Sequence, residues 1–153
     1  MSKPNYVALI GGGLVATVTF AIVEFFFEGA VGLLGYNESA VFQELYPDLQ
    51  LEGFAYHFGN ILQVLALMIF AIWLYSSLIP KFGDSITCAL VAAFAIWFVY
   101  LVVAISLARL ELFPMNIAVA SLLFNLVELP LAILAGSSFY NSAKERPAVP
   151  AKP

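Results

Sequence analysis

The chain has 153 residues, of which 63% are hydrophobic and only 10% charged, with a mean hydropathy of +0.97. One core of this length cannot hide that much apolar surface, which excludes a water-soluble globule and also a disordered chain. A net charge of −4 with no basic run excludes nucleic-acid binding, and a single cysteine, Cys88, excludes an intrachain disulfide or cysteine-rich metal site.

Four apolar segments are long enough to span a bilayer as helices, and none alternates with the period of two that a barrel strand requires. The first covers about 6–34 and opens VALIGGGLVATVTFAIVEFFF. It has only Lys3 ahead of it, an apolar run too long for a signal peptide and no prompt small-x-small cleavage site, so it reads as a retained helix. Ala8, Gly12 and Ala16 form a small-xxx-small series on it. Gly11-Gly12-Gly13 lacks the Lys-Ser/Thr ending of a phosphate loop.

The connection 35–53 is long and carries Glu38, Glu44, Asp48 and Glu52. Asn37 is a good N-cap, and Val41 with Leu45 and Phe42 with Tyr46 stand at helical spacing before Pro47. The pattern predicts a short amphipathic helix on the membrane interface.

The second span is expected at about 54–78 and the third at about 85–107, with Pro80 and Gly83 breaking the chain between them. The fourth is expected at about 114–140, with Pro114 in its first turn. Residues 1–140 thus form one all-α, four-helix transmembrane domain, and the polar, proline-rich stretch 141–153 reads as a flexible cytoplasmic tail. Lys3, Lys81, Lys144, Arg146 and Lys152 fall on one side of this arrangement and Arg109 alone on the other. That asymmetry predicts both termini in the cytoplasm.

A faint repeat runs through the second and fourth spans. Asn60-Ile-Leu-Gln63 precedes Tyr75 as Asn125-Leu-Val-Glu128 precedes Tyr140, the tyrosine standing 15 positions after the asparagine in each. Two parallel helical hairpins would produce it, and so would chance agreement between apolar helices.

Polar residues inside the spans are the candidates for function. Gly13, Thr17, Ala21, Glu24 and Glu28 share one face of the first helix. Tyr56, Asn60 and Gln63 share a face of the second, and Ser121, Asn125, Glu128 and Ala132 a face of the fourth. At 1.5 Å per residue, Glu24, Asn60, Gln63, Asn125 and Glu128 fall in overlapping layers of the outer half of the membrane. An ionised carboxylate there costs on the order of 3 kcal/mol, and no Lys or Arg lies inside a span. Glu24 and Glu128 are therefore expected to be protonated, to share a proton, or to hold a cation or a ligand donor. Two readings stay open: a proton, cation or polar-ligand site, or interhelical hydrogen bonding that holds the bundle together.

His57, the only histidine, stands at the start of the second span. It is an interfacial residue or, less simply, an axial ligand to a haem or chlorophyll-type pigment. No other cofactor or metal is expected. Cys88, with no basic neighbour in sequence, reads as a packing residue, and Trp97 is too central for an interface belt and must pack inside or against a partner.

The stretches Gly11 to Glu24, Trp73-Leu74-Tyr75 with Pro80-Lys81-Phe82-Gly83, and Leu126 to Ala132 resemble those of a family of uncharacterised bacterial four-helix integral membrane proteins. The resemblance covers most of the chain outside the acidic connection. It implies the topology and a bacterial origin and no activity; the localisation expected is a bacterial inner membrane.

No triad, nucleotide loop or wet acid–base pair stands out, so no enzymatic activity is expected. The 14 phenylalanines exceed what four thin helices bury among themselves. That surplus points to a non-catalytic accessory subunit, surrounded by lipid, that packs on other transmembrane subunits or on itself as a homo-oligomer. The alternative is a small oligomeric transporter or channel using Glu24 and Glu128 for protons or cations.

Overall fold

The computed structural model describes residues 5–32, 38–48, 53–83, 86–112 and 114–144. Its elements are α1 (Tyr6–Gly32), α2 (Glu38–Leu45), α3 (Phe54–Phe82), α4 (Ile86–Arg109) and α5 (Met115–Lys144), with no strand among the described residues. Four of these helices are long and apolar enough to cross a membrane. They form an up-down-up-down bundle in which α1 packs on α5 and α3, and α4 on α5 and α3. Asn5 and Lys144 lie at one end of the bundle, the termini end, and α2 lies at the opposite one, the α2 end.

Local chemistry fixes where the helices stop. Asn5 accepts the Ala8 amide on its side-chain oxygen at 3.1 Å, opening α1. The expected break at Pro80 does not occur: α3 runs on through Pro80 and Lys81 to Phe82. A proline this close to a helix end costs only one late backbone hydrogen bond. The stop falls instead at Gly83, whose φ of 82° and amide bond to the Ile79 carbonyl (2.7 Å) turn the chain in a conformation that favours glycine. Helix α5 likewise outruns its expected end, so residues 141–144 are helical rather than part of a flexible tail. The remainder of the tail lies outside the described residues, as do Asn37 and positions 33 and 34 of the first span.

A short helix does occupy the 35–53 connection, as α2. Just beyond it, the Tyr46 hydroxyl donates to the Leu112 carbonyl at 2.7 Å, tying this connection to the α4–α5 turn.

The core is built from small residues near the termini end, where backbones approach closely. A side-chain carbon at Gly12 would stand 2.9 Å from the Gly136 carbonyl oxygen, and one at Gly13 would press on Ile69 of α3. Ala16, Ala71, Ala92, Ala93 and Ala132 are fully buried around them, with Met68, Ile72 and Ile133 filling the centre. A second cluster, Ala104 with Ala118 and Leu122, joins α4 to α5 toward the α2 end.

Burial follows the repeat. An offset of 80 residues carries the buried positions Ala8, Leu9, Gly12, Gly13 and Ala16 of α1 onto Cys88, Ala89, Ala92, Ala93 and Ile96 of α4, all buried. An offset of 65 carries Met68, Ala71, Ile72 and Tyr75 of α3 onto Ile133, Gly136, Ser137 and Tyr140 of α5, also all buried. The two offsets differ by 15 residues because the connection that holds α2 is longer than the α4–α5 turn. The equivalent tyrosines meet edge to face, with ring centroids 6.1 Å apart. The chain is thus two parallel hairpins, α1–α3 and α4–α5, packed about a common centre.

Candidate functional site

The polar residues divide among the seams of the bundle. On α1, Glu24 continues the buried stripe beyond Phe20 on the flank of Gly13, which meets Ile69 of α3, while in the α1–α5 seam Asn125 and Glu128 continue the α5 stripe that runs through Ala132 and Gly136. Counting from the Gly12–Gly136 contact, Glu24 stands roughly 18 Å, Asn125 roughly 16 Å and Glu128 roughly 12 Å toward the α2 end. Glu24 is therefore level with Asn125, and Glu128 lies about one turn closer to the middle. Above them Phe27 and Phe124 pack with ring centroids 5.2 Å apart, so the seam is still closed there. Glu128 is 4% exposed, whereas Glu24 and Asn125 are half-buried.

Two polar side chains of these helices turn back on their own backbones. The Asn125 amide donates to the Ser121 carbonyl at 2.8 Å, and the Thr17 hydroxyl donates to the Gly13 carbonyl at 2.8 Å. Pro130 supplies no amide to the Leu126 carbonyl within α5. The structure thus brings Asn125 and Glu128 together on one face of α5, and Glu24 stands on α1 within about one turn of their levels.

The α3–α4 seam differs. Asn60 and Gln63 are the counterparts of Asn125 and Glu128, yet both are exposed, and the structure does not enclose them with Glu24 or Glu128. They stand opposite Ile69 and Ile72, two and a half turns away, which are the residues α1 packs on. Their flank is therefore the one turned from α1, on the α4 side. Lower on the same flank Leu74 and Leu78 are half-buried, but from Leu67 through Gln63 and Asn60 to Tyr56 every one is exposed. All described side chains from Gly53 to Gln63 are exposed.

His57 is exposed near the start of α3, with its ring edge-on to Tyr56 at 5.4 Å. Among the described residues no three His, Cys, Asp or Glu side chains converge as metal ligands. Cys88 is buried, its thiol 2.9 Å from the Gly83 carbonyl. Trp97 is half-buried and its indole donates to the Leu122 carbonyl at 2.9 Å, so it packs inside the bundle and links α4 to α5.

Sequence reasoning missed a polar knot at the termini end. Asn141 donates to the Tyr75 hydroxyl at 2.8 Å, and the other amide atom of Asn141, its oxygen, is buried without a hydrogen-bond partner. The paired tyrosines of the repeat were the available signal, but nothing in sequence places Asn141 against Tyr75 before the register is known.

Comparison with family models, with curated proteins and with solved structures finds no match to this chain.

Proposed function

We propose that the chain is a non-catalytic integral membrane subunit of a bacterial inner membrane, with both termini in the cytoplasm and α2 on the outer face, that assembles with other transmembrane subunits or with itself. The observation that carries this reading is the uncovered flank of α3. Measured from the helix midpoint at Met68, Gln63 lies roughly 8 Å and Asn60 roughly 12 Å away, inside the ~15 Å half-thickness of the apolar slab. Neither amide bonds to another described residue. Lipid tails offer such groups nothing, whereas a partner helix can satisfy them. No more than 44% of the residues of any span window are buried within the chain, so abundant apolar surface remains for a partner.

Extraction in mild detergent followed by native mass spectrometry tests this. The expected result is an assembly heavier than the 16.6 kDa chain; a lone monomer that carries nothing with it would overturn the proposal. An absorption spectrum of the same sample tests pigment or haem binding at His57.

A second reading is favoured by the position of Glu128, almost fully buried and near the midpoint of α5. In an oligomer, Glu24 and Glu128 would serve a proton- or cation-linked path. Proteoliposomes that pass protons or cations should lose that flux in Glu24→Gln combined with Glu128→Gln, and unchanged flux would reject this site.

A further inference from the structure

The repeat supplies an internal standard for what a finished seam looks like. On α5, the stretch Asn125 to Leu129 is covered by α1 up to the Phe27–Phe124 contact. On α3, the equivalent stretch Asn60 to Val64 faces a wall of α4 that stays open, with Val99 62% and Val103 48% exposed. The α2 half of the α3–α4 seam thus leaves an exposed face, with amides on α3 and valines on α4.

We propose that this face is the self-association surface of the protein, covered by the same face of a second copy. The proposal rests on the assembly reading above and names its partner. Three observations select a second copy. No Asp, Glu, Lys or Arg occurs from Gly53 to Pro80 or from Ile86 to Ala108, so two such faces meet without opposing like charges. The edge of α1, by contrast, exposes Glu28 and would set carboxylate against carboxylate. Carboxamides also both donate and accept, so Asn60 and Gln63 pair with their own copies across a two-fold axis, which carboxylates cannot do. Finally, β-branched valines present a smooth wall whose side chains lose little rotamer freedom on packing. The other exposed faces of the bundle, such as the one carrying Phe94 and Phe98, are aliphatic and aromatic and suit lipid directly.

Cysteine cross-linking in native membranes tests the proposal, in a Cys88→Ala background so that no other thiol remains. Asn60→Cys and Gln63→Cys should each oxidise to a covalent dimer at twice the 16.6 kDa mass of the chain. Phe94→Cys, two and a half turns from Val103 and so on the opposite face of α4, should not. Asn60→Leu combined with Gln63→Leu should weaken self-association in detergent about ten-fold or more while leaving the helical circular-dichroism signal unchanged, and Asn60→Gln should retain it. Cross-linking at 60 and 63 no stronger than at 94, or a dimer indifferent to the double leucine variant, overturns the proposal. A native mass showing one copy bound to a different protein overturns it while leaving the assembly reading standing. A lone monomer overturns both.

Discussion

The Gly12–Gly136 crossing makes a sharp prediction, because backbone meets backbone there. A methyl group added at Gly136 would stand 2.5 Å from the Gly12 carbonyl oxygen, 2.8 Å from the Ala16 methyl and 2.8 Å from the Ile72 Cδ1. Ordinary contact begins near 3.4 Å, so α1 must retreat from α5 by about 0.9 Å. Ile72 is fully buried and has no room to swing aside. A gap of that size forfeits a quarter to a half of the dispersion energy of each contact along the seam, and overpacking of this kind costs about 1–3 kcal/mol. Against it, alanine is favoured over glycine inside a helix by about 0.5–1 kcal/mol. Gly136→Ala should therefore destabilise by about 1–2 kcal/mol net. Equilibrium unfolding in dodecyl maltoside titrated with dodecyl sulfate, followed by circular dichroism, reads this directly. A Gly136→Ala chain that unfolds at or above the wild-type midpoint would refute the close-approach argument.

Gly59→Ala is the matched control, since nothing lies within 4 Å of the added carbon; it should raise the same midpoint by about 0.5–1 kcal/mol. Trp97→Phe removes the indole donor to Leu122 while keeping an aromatic ring, and should cost about 1 kcal/mol in that titration. Tyr75→Phe strips the acceptor from an asparagine whose oxygen already lacks a donor, so about 1–3 kcal/mol is expected, with little change in helix content.

The number, order and type of the spanning helices follow from apolar run length, because the cost of bare backbone in hydrocarbon leaves a continuous run no alternative to helix. Helix ends were less legible. Pro80 is a breaker on average, but position within the helix decides its cost, and position depends on where Gly83 lets the chain turn. Periodicity placed the polar residues on faces and the depth estimate placed them at levels. Neither revealed that Glu128 and its counterpart Gln63 meet opposite fates, one buried against α1 and the other exposed beside α4. That depends on how closely two helices approach, which small residues permit at Gly12 and Gly136 and which no local signal reports for α3 and α4. The repeat itself is faint in residue identity and plain in burial, because packing constrains size and not side-chain type.

The two hairpins run in the same sense along the bundle, and this limits how the molecule could ever move cargo. A protein whose halves insert in opposite senses can trade their shapes and thereby present its interior first to one compartment and then to the other. Here the relating axis runs lengthwise, so trading the shapes of α1–α3 and α4–α5 would return an opening on the same face of the bilayer. Any passage from one side to the other must therefore come from a change the halves make together, or from a neighbour.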